Sequence, residues 1–318
     1  MRILMWHVHG SWTTSFVSGG HEVLLPVLPD RGPDGQGRAR TWSWPQTAQE
    51  ITPDDLRDAD IDLVVLQRPH EIELAHRWTG RRPGTELPAV YVEHDTPRET
   101  ASATRHPVAD RDDITLVHVT HFNHVMWDNG TAPTTVIEHG VADPGDRYTG
   151  ADPSAAVVVN HPVRRGRLVG ADLMIDLARH LPVHVYGMGM SELTGHAAFP
   201  VARLHDDLPQ SRMHQQLAHH RMYFHPYRWT SLGLALLEAM ALGLPVLGLS
   251  TTEGPRAVPP EAGLLSNSMA EIRTRARHWL DDPAAARAAG AHARKHVLEH
   301  YSLPQFHDRW NCLLNRIT

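Results

Sequence analysis

The sequence predicts an α/β protein built from two Rossmann-like parallel-sheet domains, and three observations carry that prediction. Apolar, strand-length runs alternate with helical stretches in both halves of the 318 residues. Residues 142–153 hold two Pro, three Asp and two Gly, which reads as a linker between domains. Residues 222–250 spell a strand, a loop, a helix and a second strand, the α/β crossover unit.

Composition narrows the function. Thirty basic residues against 36 acidic leave a net charge of −6, which gives no electrostatic case for nucleic acid. No apolar run approaches 18 residues, so no membrane span is expected. Residues 2–8 are apolar, but too short and too soon polar to read as a signal peptide. The lone Cys312 excludes an intramolecular disulfide and fits a reducing cytoplasm. Oligomeric state is not legible. There are 25 histidines. His292, His296 and His300 fall on one helix face, and His118, His121 and His124 recur at i, i+3, i+6. No HExxH and no accompanying Cys occur, so a solvated face is the reading for the first set and no metal ligand is assigned.

In the first half, strands are expected at 2–8, 21–28, 61–67, 89–94, 114–120 and 136–141. Helices are expected at 52–59, 71–78 and 121–129. Thr52 reads as an N-cap and Pro53 as the first helical residue. Residues 9–20, with Gly10, Gly19 and Gly20, read as a loop after the first strand. Such a loop either borders a ligand or is a plain connection. His94 and Asp95 follow the buried strand 89–94, in a run that ends at Glu99. A histidine there is placed for a site, with a core or capping histidine as the alternative.

The second half carries the stronger signal. Residues 232–242 are strong helix formers, with Thr230 and Ser231 as cap candidates and Gly243 as the C-cap glycine. First-turn amides at Ser231, Leu232, Gly233 and Leu234 would suit a phosphate. Glu238 is the only charge between Leu232 and Ser250, and a buried carboxylate needs donors. Ribose hydroxyls would supply them; so would a neighbouring loop or an arginine. Arg164, Arg165 and Arg167 cluster after the strand 155–160, as a diphosphate site or as a solvated patch. Gly187 ends the strand 183–189 in a Gly-x-Gly turn. The helix leading to His220 is expected to carry mainly surface His and Gln.

Pro226, Gly233, Glu238, Ala239, Met240, Ala241, Gly243, Pro245 and Val246 fall in register with the donor-site signature of family 4 glycosyltransferases, which the segment resembles. The resemblance covers residues 150–318 well and 1–148 loosely. It implies the GT-B fold: two Rossmann-like domains facing a cleft. The acceptor-side domain would span 1–148 with a returning C-terminal helix at 303–318, and the donor domain 149–302. It implies transfer of a sugar from a UDP-, GDP- or dTDP-linked donor to an acceptor hydroxyl, with retention and with no metal or other cofactor required. By carry-over, His94 and Arg164 would be catalytic. The donor would be held by Gly10, Arg164, Arg165, Arg167, Gly187, Thr230, Ser231, Leu232, Gly233, Leu234 and Glu238. Two departures stand out. Thr230 replaces the first Glu of the family pair, and Val169 replaces its Lys. They keep open a non-catalytic nucleotide-sugar-binding partner, or an epimerase on the same scaffold.

Overall fold

The computed structural model describes residues 1–98 and 100–318; Glu99 lies outside the described residues. The chain divides into two compact units, one of residues 1–140 and 303–318, the other of 141–302. Residues 141–148, expected with the first domain, therefore group with the second.

The first unit is ordered β1 (Arg2–Met5), α1 (Gly10–Val17), β2 (Glu22–Pro26), β3 (Ala48–Ile51), α2 (Pro53–Leu56), β4 (Leu63–Leu66), α3 (Glu71–Thr79), β5 (Ala89–Glu93), β6 (Thr115–His118), α4 (His121–Met126) and β7 (Thr134–Val136). Its seven strands lie β3-β2-β1-β4-β5-β6-β7 and pair in parallel. Central strands such as β4 (LVVL) are buried along their whole length, as sheets covered on both faces require. Thr52 caps α2, its side chain accepting from the Asp55 amide, with Pro53 in the first turn.

The second unit runs β8 (Asp152–Val158), α5 (Pro162–Arg165), a 3₁₀ turn at Gly166–Val169, α6 (Ala171–Ala178), β9 (Val183–Gly187), β10 (Leu204–Asp206), α7 (Gln210–Leu217), β11 (His220–His225), α8 (Leu234–Ala241), β12 (Val246–Gly248), α9 (Gly254–Ala257), β13 (Gly263–Leu265), α10 (Met269–Asp281) and α11 (Pro283–His300). Its six parallel strands lie β10-β9-β8-β11-β12-β13. One apolar cluster on α8 and α11 covers one side of this sheet, and a second on α6 and α10 covers the other.

The last helix, α12 (Leu303–Ile317), belongs to the first unit. Its Phe306 and Trp310 meet Trp12 and Phe16 of α1 with ring centroids 5.1–6.3 Å apart. That packing explains one correction. Residues 9–20 are not an open loop, because 10–17 are helical. Ser and Thr are weak helix formers, and the buried Trp12–Phe16 pair, one turn apart, supplies what propensity lacks. The strand expected at 136–141 is confined to Thr134–Val136. Edge strands β3, β10 and β13 were not expected, since their short, partly polar sequences lack a buried-strand pattern. Among the described residues no helix is long and apolar enough to cross a membrane.

The α1–α12 contact predicts a stability effect. Trp310→Ala should lower unfolding free energy by about 3–5 kcal/mol in urea titration, through lost burial and the cavity left between the helices.

Candidate donor and acceptor sites

Both sheets follow the doubly-wound order in which connections run outward from the middle, so each has a switch point where ligands bind at the strands' carboxyl ends. In the second unit that point lies between β8 and β11. The segment after β8 carries the three arginines, and the segment after β11 leads into α8.

The two segments are locked together. Gly170 has φ +73°, and a Cβ there would overlap the Pro226 carbonyl, so only glycine fits. The Arg228 amide donates to Leu168 O at 3.0 Å, and Arg228 Nη1 donates to Arg167 O at 2.8 Å. Arg228 also grips Asp172, with Nη1 and Nη2 at 2.6 and 2.8 Å. Sequence reasoning missed Arg228, whose loop position gave no signal of this role.

The arginines separate into different roles. Arg164 is exposed and has no ion-pair partner among the described residues. Arg165 lies over the Tyr227 ring, 5.9 Å from its centroid. Arg167 is bound to Asp172 at 2.8 Å, so it is already engaged. Val169, where the resembled family has its Lys, is fully buried in the apolar cluster. An ammonium there would lose its hydration, so the valine is a built core position.

The start of α8 corrects the expected caps. The helix begins at Leu234 and Gly233 is its N-cap, with no side-chain cap from Thr230 or Ser231. Ser231 and Leu232 are buried, while Thr230 is half-buried. The Leu234 and Ala235 amides stand in the first turn, beyond reach of any intrahelical carbonyl. At Gly233 a Cβ would press on the His225 imidazole at 3.0 Å, so what the glycine admits is this ring. His225, at the carboxyl end of β11, stacks on Tyr227 at 4.7 Å. Its Nδ1 has no hydrogen-bond partner among the described residues, and burial pushes its pKa down to about 3. Sequence reasoning quoted this histidine without assigning it.

Glu238 is buried at 8% exposure. Its Oε1 accepts from Gln210 Nε2 at 2.8 Å, and His214 Nε2 lies 3.4 Å from Oε2. Both partners come from α7, whose inward side chains were expected at the surface. Gly187 has φ +131° and abuts the Val159 carbonyl, holding the end of β9 against the end of β8. The adjoining turn is fixed by Asn160, which accepts from the Met188 amide at 2.9 Å, and by Asp206, which accepts from the Gly189 amide at 2.9 Å.

In the first unit the switch point lies between β1 and β4. His94, after β5, donates from Nε2 to Gln67 Oε1 at 3.0 Å. The proton is assigned by the Gln67 amide, whose nitrogen donates to Trp6 O at 2.8 Å and so turns its oxygen toward the ring. Gln67 is itself held by buried Glu71, whose Oε2 accepts from the Gln67 amide at 2.6 Å. The His94 ring lies 4.1 Å from His9 and 5.0 Å from Trp12. Burial drives its pKa well below the ordinary imidazole value, and the charges of His9 and His139 add to this. His94 is thus a neutral imidazole with Nδ1 free to accept. Gly10 does not border open space: a Cβ there would run into the Trp42 indole.

Residues 164–310 match a protein family described as glycosyl transferase-like. No curated protein matches the chain. Among solved structures, sucrose-phosphate synthase from Thermosynechococcus elongatus superposes with a TM-score of 0.73 at 13% identity, over 99% of this chain and 98% of that one. Anabaena HepE, solved with UDP, gives 0.72 at 12% identity, over 99% and 100%. Staphylococcus aureus TarM gives 0.64 at 14%, over 80% and 54%. At these identities the structural likeness is one of fold. By fold the chain is of GT-B type and by the matched stretch it is glycosyl transferase-like, so its class is that of the GT-B glycosyltransferases.

Two predictions follow from the site geometry. Gly170→Ala should cost about 2–4 kcal/mol of stability, because both the left-handed backbone and the Pro226 contact oppose a side chain; calorimetric melting reads it. His225 and His118, both held down to about pH 3, should make the protein less stable in acid. Each binds a proton near pH 6.5 when unfolded but only near 3 when folded. Their contribution is complete above about 6.5 and is lost progressively as pH falls toward 3. The urea midpoint should therefore drop between pH 6.5 and 4.

Proposed function

We propose that this chain is a retaining, family 4-like glycosyltransferase that moves a sugar from a nucleotide-diphosphate sugar to an acceptor hydroxyl. The observation that carries the reading is the locked pair of segments at the β8–β11 switch point. It sets a free arginine, Arg164, and the half-buried Arg165 beside the α8 segment, with a buried carboxylate in the same helix.

In this reading Arg164, Arg165 and the first-turn amides of α8 hold the diphosphate. They stabilise the negative charge that grows on the leaving phosphate. Glu238, oriented by Gln210, accepts from the ribose hydroxyls. The acceptor oxygen bonds to the anomeric carbon on the face from which the phosphate leaves, and the hydroxyl proton passes to a phosphate oxygen. Configuration is retained. Cations and amides do this work, so the proposed transfer requires no divalent ion: added Mg²⁺ or Mn²⁺ should change turnover by less than about twofold. His94 Nδ1 is the acceptor-side hydrogen-bond acceptor. A UDP-linked donor is favoured because HepE was solved with UDP and with UDP-glucose.

Val169 and Thr230 favour one rival, a nucleotide-sugar-binding partner without turnover, since both of the family's charged side chains are missing there. Calorimetry with UDP, GDP, dTDP and ADP separates the readings when paired with a turnover assay. UDP should bind tightest, with affinity at least tenfold weaker in Glu238→Ala and in Arg164→Ala, each a lost charge-assisted contact worth about 1.5–3 kcal/mol. No nucleotide binding at all would sink the donor-site assignment. Binding without transfer or hydrolysis would establish the partner reading. His94→Ala should lower kcat about 10²-fold or more. The acid limb of the wild-type rate profile should lie below the ordinary imidazole range, because His94 stays neutral there.

A further inference from the structure

The second unit's sheet carries a polar stripe at its amino edge, opposite to the strand ends that bear the candidate donor site. Asp152 and Ser154 open β8, His184 and Tyr186 lie on β9, His205 on β10, and His220 begins β11. The parallel register sets His220 beside Asp152 and His205 beside Tyr186. A buried parallel sheet ordinarily reads as continuous apolar sequence, so this cluster is a departure that needs a reason.

We infer that Asp152, His184 and His220 form a binding site for a borderline divalent ion of the zinc class. One ligand atom from each lies within 4.8 Å of the others. His220 Nδ1 is 3.9 Å from Asp152 Oδ2, too long for a hydrogen bond but short enough to close on a shared ion. Around a tetrahedral ion with bonds of 2.0–2.1 Å, ligand atoms stand about 3.3 Å apart. The contraction falls on Asp152, whose side chain is 54% exposed and free to turn. Two imidazoles and a carboxylate suit zinc among the divalent ions, with water completing the shell.

The surrounding bonds fit this assignment. His220 Nε2 lies 2.7 Å from Tyr186 Oη, which would accept the ring's second proton and fix its orientation. Ser154 Oγ, now 2.7 Å from His220 Nδ1, would give way to the ion. His184 Nδ1 lies 3.1 Å from His205 Nε2, so a fourth imidazole adjoins the site. Burial keeps His184 and His220 in the neutral form that ligates. The ion would tie β8, β9 and β11 together at the edge where their strands begin. Neither histidine set singled out by spacing in the sequence coincides with this cluster.

The test is zinc calorimetry on chelator-treated full-length protein, with thermal melting alongside. Wild type should bind one equivalent with micromolar affinity or better, and its Tm should rise by roughly 3 °C or more at saturation. Asp152→Asn and His184→Ala alter exposed or half-buried side chains, so both should fold, as circular dichroism checks. Each should weaken binding at least tenfold, while His300→Ala on α11 should leave it unchanged. Cobalt substitution should give a d–d absorption spectrum that is lost in His184→Ala. An absence of zinc binding would overturn the inference. So would zinc bound equally well by wild type and by folded His184→Ala, which would assign it to other histidines.

Discussion

The close approach of Gly170 to the Pro226 carbonyl is the contact on which the candidate donor site depends. It joins the first connection of the second unit to the connection after β11, two segments far apart in sequence and brought together only by the strand order. Arg228 then fastens the pair through Leu168, Arg167 and Asp172. With its neighbours committed, Arg164 is left as the cation available to a ligand. Arg167 is consumed in the structure, which is why three adjacent arginines do not make three equivalent phosphate contacts.

The first unit uses the same principle with neutral groups. Glu71 holds the Gln67 backbone, the Gln67 amide is turned by Trp6, and His94 takes its tautomer from the oxygen that remains. A buried polar network satisfied in this way fixes orientation, because any other arrangement strands a donor or acceptor. The helix that returns from the second unit completes the apolar floor through Trp310 and Phe306.

The central strands, the helix of the 222–250 unit and the Thr52 cap were legible because each is set by local pattern. The edge strands were not, since a short strand beside a single neighbour needs no buried-strand signature. Helix α1 was obscured by its glycines and hydroxyls, and its cause lies in α12, nearly 300 residues away. Glu238 was legible as a buried carboxylate in need of donors. Its partners, Gln210 and His214, were not, because their inward direction is a property of how α7 lies on α8.

By itself the sequence determined the alternation of strands and helices, the division near residue 142–153, the glycines at tight turns and the identity of the charged groups. These follow from periodicity, from backbone geometry and from side-chain chemistry, all local quantities. Only the tertiary structure decided which arginine stays free, which carboxylate is already bonded and which histidines meet. Those outcomes depend on strand order and burial, which bring distant residues within 3 Å and set the cost of leaving any one of them without a partner.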